Sequence, residues 1–157
     1  MAAVTNGAGP CQAPELAMRV NRRSWTEVEL RRSAELEPLL EQVVAAMVAQ
    51  DYSRRTCWEM RLALEEAIVN GLRHGNRFDP TKRVLVSYHV GPSAVLAEVE
   101  DEGPGFDPAD VPDPTDPEHL ERPCGRGLLL MHHYLTWLCY LGSGNHVTLC
   151  KQRPCPV

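Results

Sequence analysis

One segment limits the folds open to this chain more than any other. Residues 54–74, RRTCWEMRLALEEAIVNGLRH, are apolar around most of a helical circumference. At about 100° per residue, with Glu66 as the origin, Glu59, Ala63, Asn70 and Arg73 fall within roughly 60° of it. The opposite side carries Cys57, Met60, Leu64, Ala67, Ile68 and Gly71, and Trp58, Val69 and Leu72 fill the flank. A helix so apolar has to be covered on nearly every side, so the rest of the chain must supply a sheet and further helices. Its single narrow polar line has two readings. It faces solvent, or Glu66 and Asn70, one turn apart, converge on a ligand. A carboxylate there accepts a proton from a nucleophile, and an amide oxygen suits a hard cation such as Mg²⁺. Glu65 sits about 100° off the line, so the adjacent glutamates are not equivalent.

The remaining segments supply that cover. SWTEVELRR (24–32) alternates as a strand. In residues 35–50, Leu36, Leu39, Leu40, Val43, Val44, Met47 and Val48 recur at helical spacing, with Pro38 in the first turn, where proline is tolerated. KRVLVSYHV and AVLAEVED alternate on either side of Gly91-Pro92-Ser93, which reads as a hairpin with one buried face. Residues 103–125 then break the pattern with six prolines. So long a loop within a compact domain is usually functional. GRGLLLMHHYLTW restarts as a helix, and HVTLCKQ closes as a strand. The order predicts an α+β two-layer sandwich: a mixed, mostly antiparallel sheet with helices on one face. Residues 1–23 are expected to be disordered, 24–152 to form one domain, and 153–157 to be a tail.

Charge and cysteine usage narrow the function. Acidic residues number 21 against 16 basic ones, for a net charge of −5. This argues against direct nucleic-acid binding, which calls for a basic face. No apolar run approaches a membrane span, and MAAVTNGAGPCQAPE lacks the regions of a signal peptide. A cytoplasmic protein without membrane association is expected. The six cysteines form no CxxC pair and match no zinc spacing, so they read as free thiols, with Cys57 and Cys139 in the core.

Two further features bear on chemistry. Extending the buried alternation Val95, Ala97, Val99 by two residues reaches Asp101. Either this carboxylate points inward and needs a partner, or the strand ends at Glu100 and Asp101 caps a turn. The following EGPG lets a flat ligand approach the backbone. Downstream, Gly125 and Gly127 stand just ahead of an apolar helix, with Arg122 and Arg126 beside them. Free N–H groups and the helix dipole make such a start suited to phosphate, as do the two guanidinium groups.

Taken in order, EAIVNGLRHGN, DEGPGF and GRGLLLM resemble the N-box and the two glycine boxes of the GHKL, or Bergerat-fold, ATPases. The likeness is greatest to bacterial anti-sigma-factor serine kinases and covers roughly residues 25–151. The resemblance implies ATP and Mg²⁺ as cofactors. It implies Glu66 as general base, Asn70 as Mg²⁺ ligand, and Asp101 as the partner of the adenine amino group. Gly103, Gly105 and Phe106 would line the base, and residues 106–124 would form a lid whose Arg122 reaches the γ-phosphate. Gly125, Arg126, Gly127 and Leu128 would surround the phosphates, with Arg73 and His74 also at the nucleotide. The chain departs from the family pattern in three places: Gly71 stands where alanine is usual, Leu129 where many members have glycine, and Gly144-Asn145-His146 where members often carry Gly-Thr.

The function implied is that of a protein serine/threonine kinase. It would phosphorylate a STAS-type anti-sigma-factor antagonist and sequester a sigma factor, with a homodimer admitted by the same resemblance. Alternatives are a nucleotide-gated binding module without turnover, the ATP-binding half of a histidine-kinase-like system, and an α+β domain with no nucleotide. Glu66 weighs against the histidine-kinase reading, because that N-box usually has asparagine there and an imidazole needs less help from a base. Cys124, beside Arg122, is a candidate for a redox role.

Overall fold

The computed structural model describes residues 19–106 and 126–154. Strand β1 (Thr26–Leu30) leads into helix α1 (Leu36–Ala49) and helix α2 (Arg54–Asn70). The hairpin β2 (Val84–Val90) and β3 (Ala94–Asp101) follows, then α3 (Arg126–Tyr134), β4 (Trp137–Leu141) and β5 (His146–Gln152). The strands form one sheet in the order β1-β2-β3-β5-β4. This is the expected α+β layering. The sheet is wholly antiparallel among the described residues, rather than mixed.

Local chemistry sets the element ends. Before α1, the Glu35 carboxylate accepts from the backbone N–H groups of Arg31 and Arg32, at 2.7 and 3.0 Å. Burying few of its own charges, this end still gains the favourable field of an acid near a helix start. The Ser53 hydroxyl accepts from Thr56 N–H at 3.1 Å and caps α2. The hairpin turn closes with Gly91 N–H donating to Ala94 C=O, and the Tyr52 hydroxyl donates to Gly91 C=O at 2.7 Å.

The main core lies between the helices and one sheet face. Leu39, Leu40, Val43 and Met47 of α1 meet Met60, Leu64 and Ile68 of α2, over Val84, Val86, Val95, Ala97, Val99 and Leu149. Each side chain so enclosed contributes on the order of 1.5–3 kcal/mol. The hairpin was expected to have one buried face, but the outer face is partly covered too. Ala94, Leu96 and Cys150 form a second cluster there, with Val20, Trp25 and Trp137 against it. Arg22 joins this cover: its guanidinium forks onto the Glu98 carboxylate at 2.6 and 2.8 Å and lies 4.3 Å from the Trp25 ring centroid. At the other end, Arg153 is also held. It donates to the backbone carbonyls of Pro92, Asp51 and Gln50 and lies over the Tyr52 ring. Cys57 and Cys150 are buried free thiols, in keeping with the spacing, and Cys139 is buried in the core as expected. None of the described helices is long and apolar enough to cross a membrane.

Candidate functional site

The site is built where α2 ends against the sheet. Past Asn70 the helix widens into one turn, Gly71–Gly75, closed by Asn76 N–H donating to Gly71 C=O at 2.8 Å, five residues back. Such widened turns recur at functional sites. Gly71 is buried, and a β-carbon on it would sit 3.2 Å from Val84 Cγ2 and 3.5 Å from Asp101 Cβ. Gly71, the departure from the usual alanine, thus lets α2 close on the β2–β3 hairpin.

Asp101 ends β3 opposite Val84, on the face of Val95, Ala97 and Val99. The carboxylate combines both readings: the strand runs through Asp101 and its side chain lies against Gly75, yet it also caps the turn that follows. It is half-buried, and burial pushes its pKa up from the ordinary carboxylate range, with Gly103 N–H pulling partly the other way. That N–H donates to Oδ1 at 2.8 Å. The α-carbon of Gly75 lies flat against the carboxylate, and any side chain there would run into it. Gly103 in turn packs on the Gly75 backbone.

The β4–β5 turn closes this end of the site. Gly105, at φ +75°, packs against the Ser143 carbonyl, where a β-carbon would clash. Phe106, 40% exposed, meets Tyr140 edge-on at 5.0 Å between ring centroids. Among the described residues it is one of six large apolar side chains left exposed.

Glu66 and Asn70 are half-buried on α2. The first turn of α3 lies over them. A β-carbon on Gly127 would collide with the Glu66 carboxylate and come within 3.8 Å of the Asn70 amide nitrogen. Only glycine there lets the backbone approach the acid so closely. Glu66, Asn70 and Gly127 thus come together, though they lie far apart in sequence. Arg73 and His74 are exposed on the widened turn, and Arg126 is exposed at the start of α3. Leu128 instead packs against the main core. Arg122, Cys124 and Gly125 lie outside the described residues.

The model of the histidine kinase-like ATPase domain matches residues 13–151. The chain belongs to the GHKL, histidine-kinase-like ATPase family. An anti-sigma F factor of Geobacillus thermodenitrificans (strain NG80-2) is 34% identical over 117 residues, covering 72% of this chain and 80% of that protein. Anti-sigma F factors of Geobacillus stearothermophilus and Geobacillus kaustophilus (strain HTA426) are each 33% identical over the same coverage.

In this GHKL chain the polar line of α2 divides in two. The half carrying Glu66, Asn70 and Arg73 is partly open, whereas Glu59 and Ala63 are buried. Glu59 pairs with Lys151 of β5 at 2.7 Å and with Arg55 at 2.9 Å. Burial alone would raise its pKa, but the hydrogen bonds from Lys151 and Arg55 outweigh that and hold it below the usual range. Lys151 also donates to the Tyr134 carbonyl at the end of α3. Glu59 therefore ties three elements together and does not face a ligand. Asn76, which sequence reasoning gave no role, and Asn145, which it noted only as a departure from the family pattern still able to hydrogen-bond, both bond the backbone around Asp101.

The residues present fit a bound Mg²⁺. Asn70 offers one neutral oxygen beside a carboxylate, and Mg²⁺ takes few protein ligands and completes its shell with water and substrate phosphates.

Proposed function

We propose that this chain is an ATP-dependent protein serine/threonine kinase that acts as an anti-sigma factor. Its substrate would be a serine on a STAS-type antagonist, and once that antagonist is phosphorylated the chain would be free to bind and hold a sigma factor. One observation carries the reading: a half-buried Asp101 set in glycine backbone lies at the same helix end as the Glu66–Asn70 pair beneath Gly127. The relatives named anti-sigma F factor support the partner assignment.

The chemistry follows from these placements. Asp101 accepts from the exocyclic amino group of adenine, which fixes the base. Gly127 and its neighbours at the start of α3 offer N–H groups to the phosphates. Asn70 would hold Mg²⁺, which when bound neutralises phosphate charge. Glu66 accepts the proton of the serine hydroxyl as that oxygen bonds to the γ-phosphorus. The bond from the γ-phosphorus to its bridging oxygen breaks, and ADP leaves with that oxygen. A serine hydroxyl is a poor nucleophile near neutrality, so a positioned base matters.

Incubation with Mg-ATP and purified STAS-domain antagonists, followed by phosphoserine analysis, tests the proposal. Glu66→Ala should keep nucleotide binding and lose transfer by roughly 10²–10⁴-fold. Transfer persisting in that variant rules out Glu66 as the base. Nucleotide binding by the wild type, with no transfer to any antagonist, favours the non-catalytic module instead.

A further inference from the structure

We infer that Asn76 and Asn145 form a clamp that fixes the direction of the Asp101 carboxylate and so sets the preference for a purine bearing a 6-amino group. The inference rests on the adenine reading of Asp101. Asn76 is 2% exposed and uses both ends of its amide. Its Nδ2 donates to Arg83 C=O at 2.8 Å, just before β2, and its Oδ1 accepts from Glu102 N–H at 2.8 Å. Asn145 acts from the turn between β4 and β5. Its Nδ2 donates to Asp101 C=O at 2.8 Å, its backbone C=O accepts from Asp101 N–H at 2.9 Å, and its Oδ1 accepts from Ser143 Oγ at 3.0 Å.

The carbonyl of Asp101 and the N–H of Glu102 belong to one peptide group. That peptide is held at its oxygen by Asn145, from the β4–β5 turn, and at its nitrogen by Asn76, from the end of the widened turn. Its plane cannot swing without breaking a hydrogen bond at one end. The Gly103 N–H then commits Oδ1, which leaves Oδ2 for a ligand donor. An amide suits both positions because it offers a donor and an acceptor on one short side chain. An aspartate would lose the donor, and a leucine both. A carboxylate held in this way needs no reordering when a ligand arrives, and small misplacements of such a group weaken recognition. Both asparagines are positioning residues, since they act through Asp101.

The test compares two ligands on the full chain in the presence of Mg²⁺. One is ATP; the other is purine riboside triphosphate, which is ATP without the 6-amino group. Calorimetric affinities are measured for the wild type, Asp101→Ala, Asn145→Ala and Asn76→Ala, with thermal melts of each. The wild type should favour ATP by about 10–100-fold, and Asp101→Ala should abolish that preference. Each asparagine variant should cut the preference by about 3–10-fold while holding the amino-free ligand within about twofold. Full preference retained in both variants overturns the clamp. So does an equal loss for both ligands, which marks general structural support. Asn145 lies in a turn and carries the test alone if the buried Asn76→Ala does not fold. A wild type without preference, or an unchanged preference in Asp101→Ala, defeats the adenine reading itself and is thus told apart from failure of the clamp.

Discussion

At the residue scale, the site depends on glycines that admit backbone where other residues would project. Gly75 is the sharpest case, because its α-carbon faces both oxygens of Asp101. Gly75→Ala must displace either the carboxylate or the widened turn. We expect nucleotide affinity to fall by about tenfold and stability by about 1–3 kcal/mol, the range for overpacking. Titration calorimetry and urea unfolding would read the two effects. Wild-type values for both would mean that the turn yields freely. The residues legible in the sequence were those set by local periods: Glu66 and Asn70 by the helical angle, Asp101 by strand alternation. Asn76 and Asn145 were not legible as supports, because their bonds to Glu102 and Asp101 reach 26 and 44 residues along the chain. No window of local pattern holds such a pairing.

At the element scale, α2 is pinned on one side by charge as well as by apolar packing. Lys151 and Glu59 are both largely buried, with side chains 14% and 11% exposed, while Arg55 is mostly in solvent. Lys151→Met leaves the Glu59 carboxylate buried with only an exposed partner. A loss of about 1–3 kcal/mol is expected, discounted from a fully buried pair because Arg55 remains. Urea unfolding would measure it, and ATP affinity should hold, since Glu59 lies away from the open half of the line. An unchanged midpoint would show that the pair adds nothing to docking. Periodicity found α2 and its polar line, yet not that the line is half closed. The closure comes from Lys151, ninety-two positions beyond Glu59 in chain order. The second cluster behind the sheet escaped for a related reason: Ala94, Leu96 and Cys150 gain their cover from Val20 and Trp25 near one end of the described chain and from Trp137 far along it.

At the scale of the whole molecule, helix and strand periods were enough to give the α+β layering and the order of elements. Strand order and the fully antiparallel pairing required the coordinates, because they rest on contacts between segments. The outer sheet face carries a pH-sensitive tie between the start of the described chain and β3. Burial raises the Glu98 pKa, but His146 and the forked Arg22 outweigh it, so the carboxyl is pushed down to about 2. His146 lies 3.8 Å away, beyond hydrogen-bond reach, so Arg22 provides the closer hold. The folded carboxyl is more acidic than the unfolded one, so its contribution is full above the ordinary value of 4.5 and fades as pH falls toward about 2. With Arg22 more than half exposed, about 1–2 kcal/mol is the expected scale. The stability gap between wild type and Glu98→Gln should therefore be constant near neutrality and narrow below about pH 4.5. A gap independent of pH would assign the effect to packing.

The GHKL assignment places this chain among ATPase domains, and the nucleotide site proposed above centres on Asp101. Equilibrium binding of Mg-ATP to wild type and Asp101→Asn is the most direct measurement. An amide loses the charge that strengthens the bond to the adenine amino group, so affinity should fall by about 10–100-fold with the fold retained. Equal affinity in the two proteins would contradict a nucleotide site centred on Asp101.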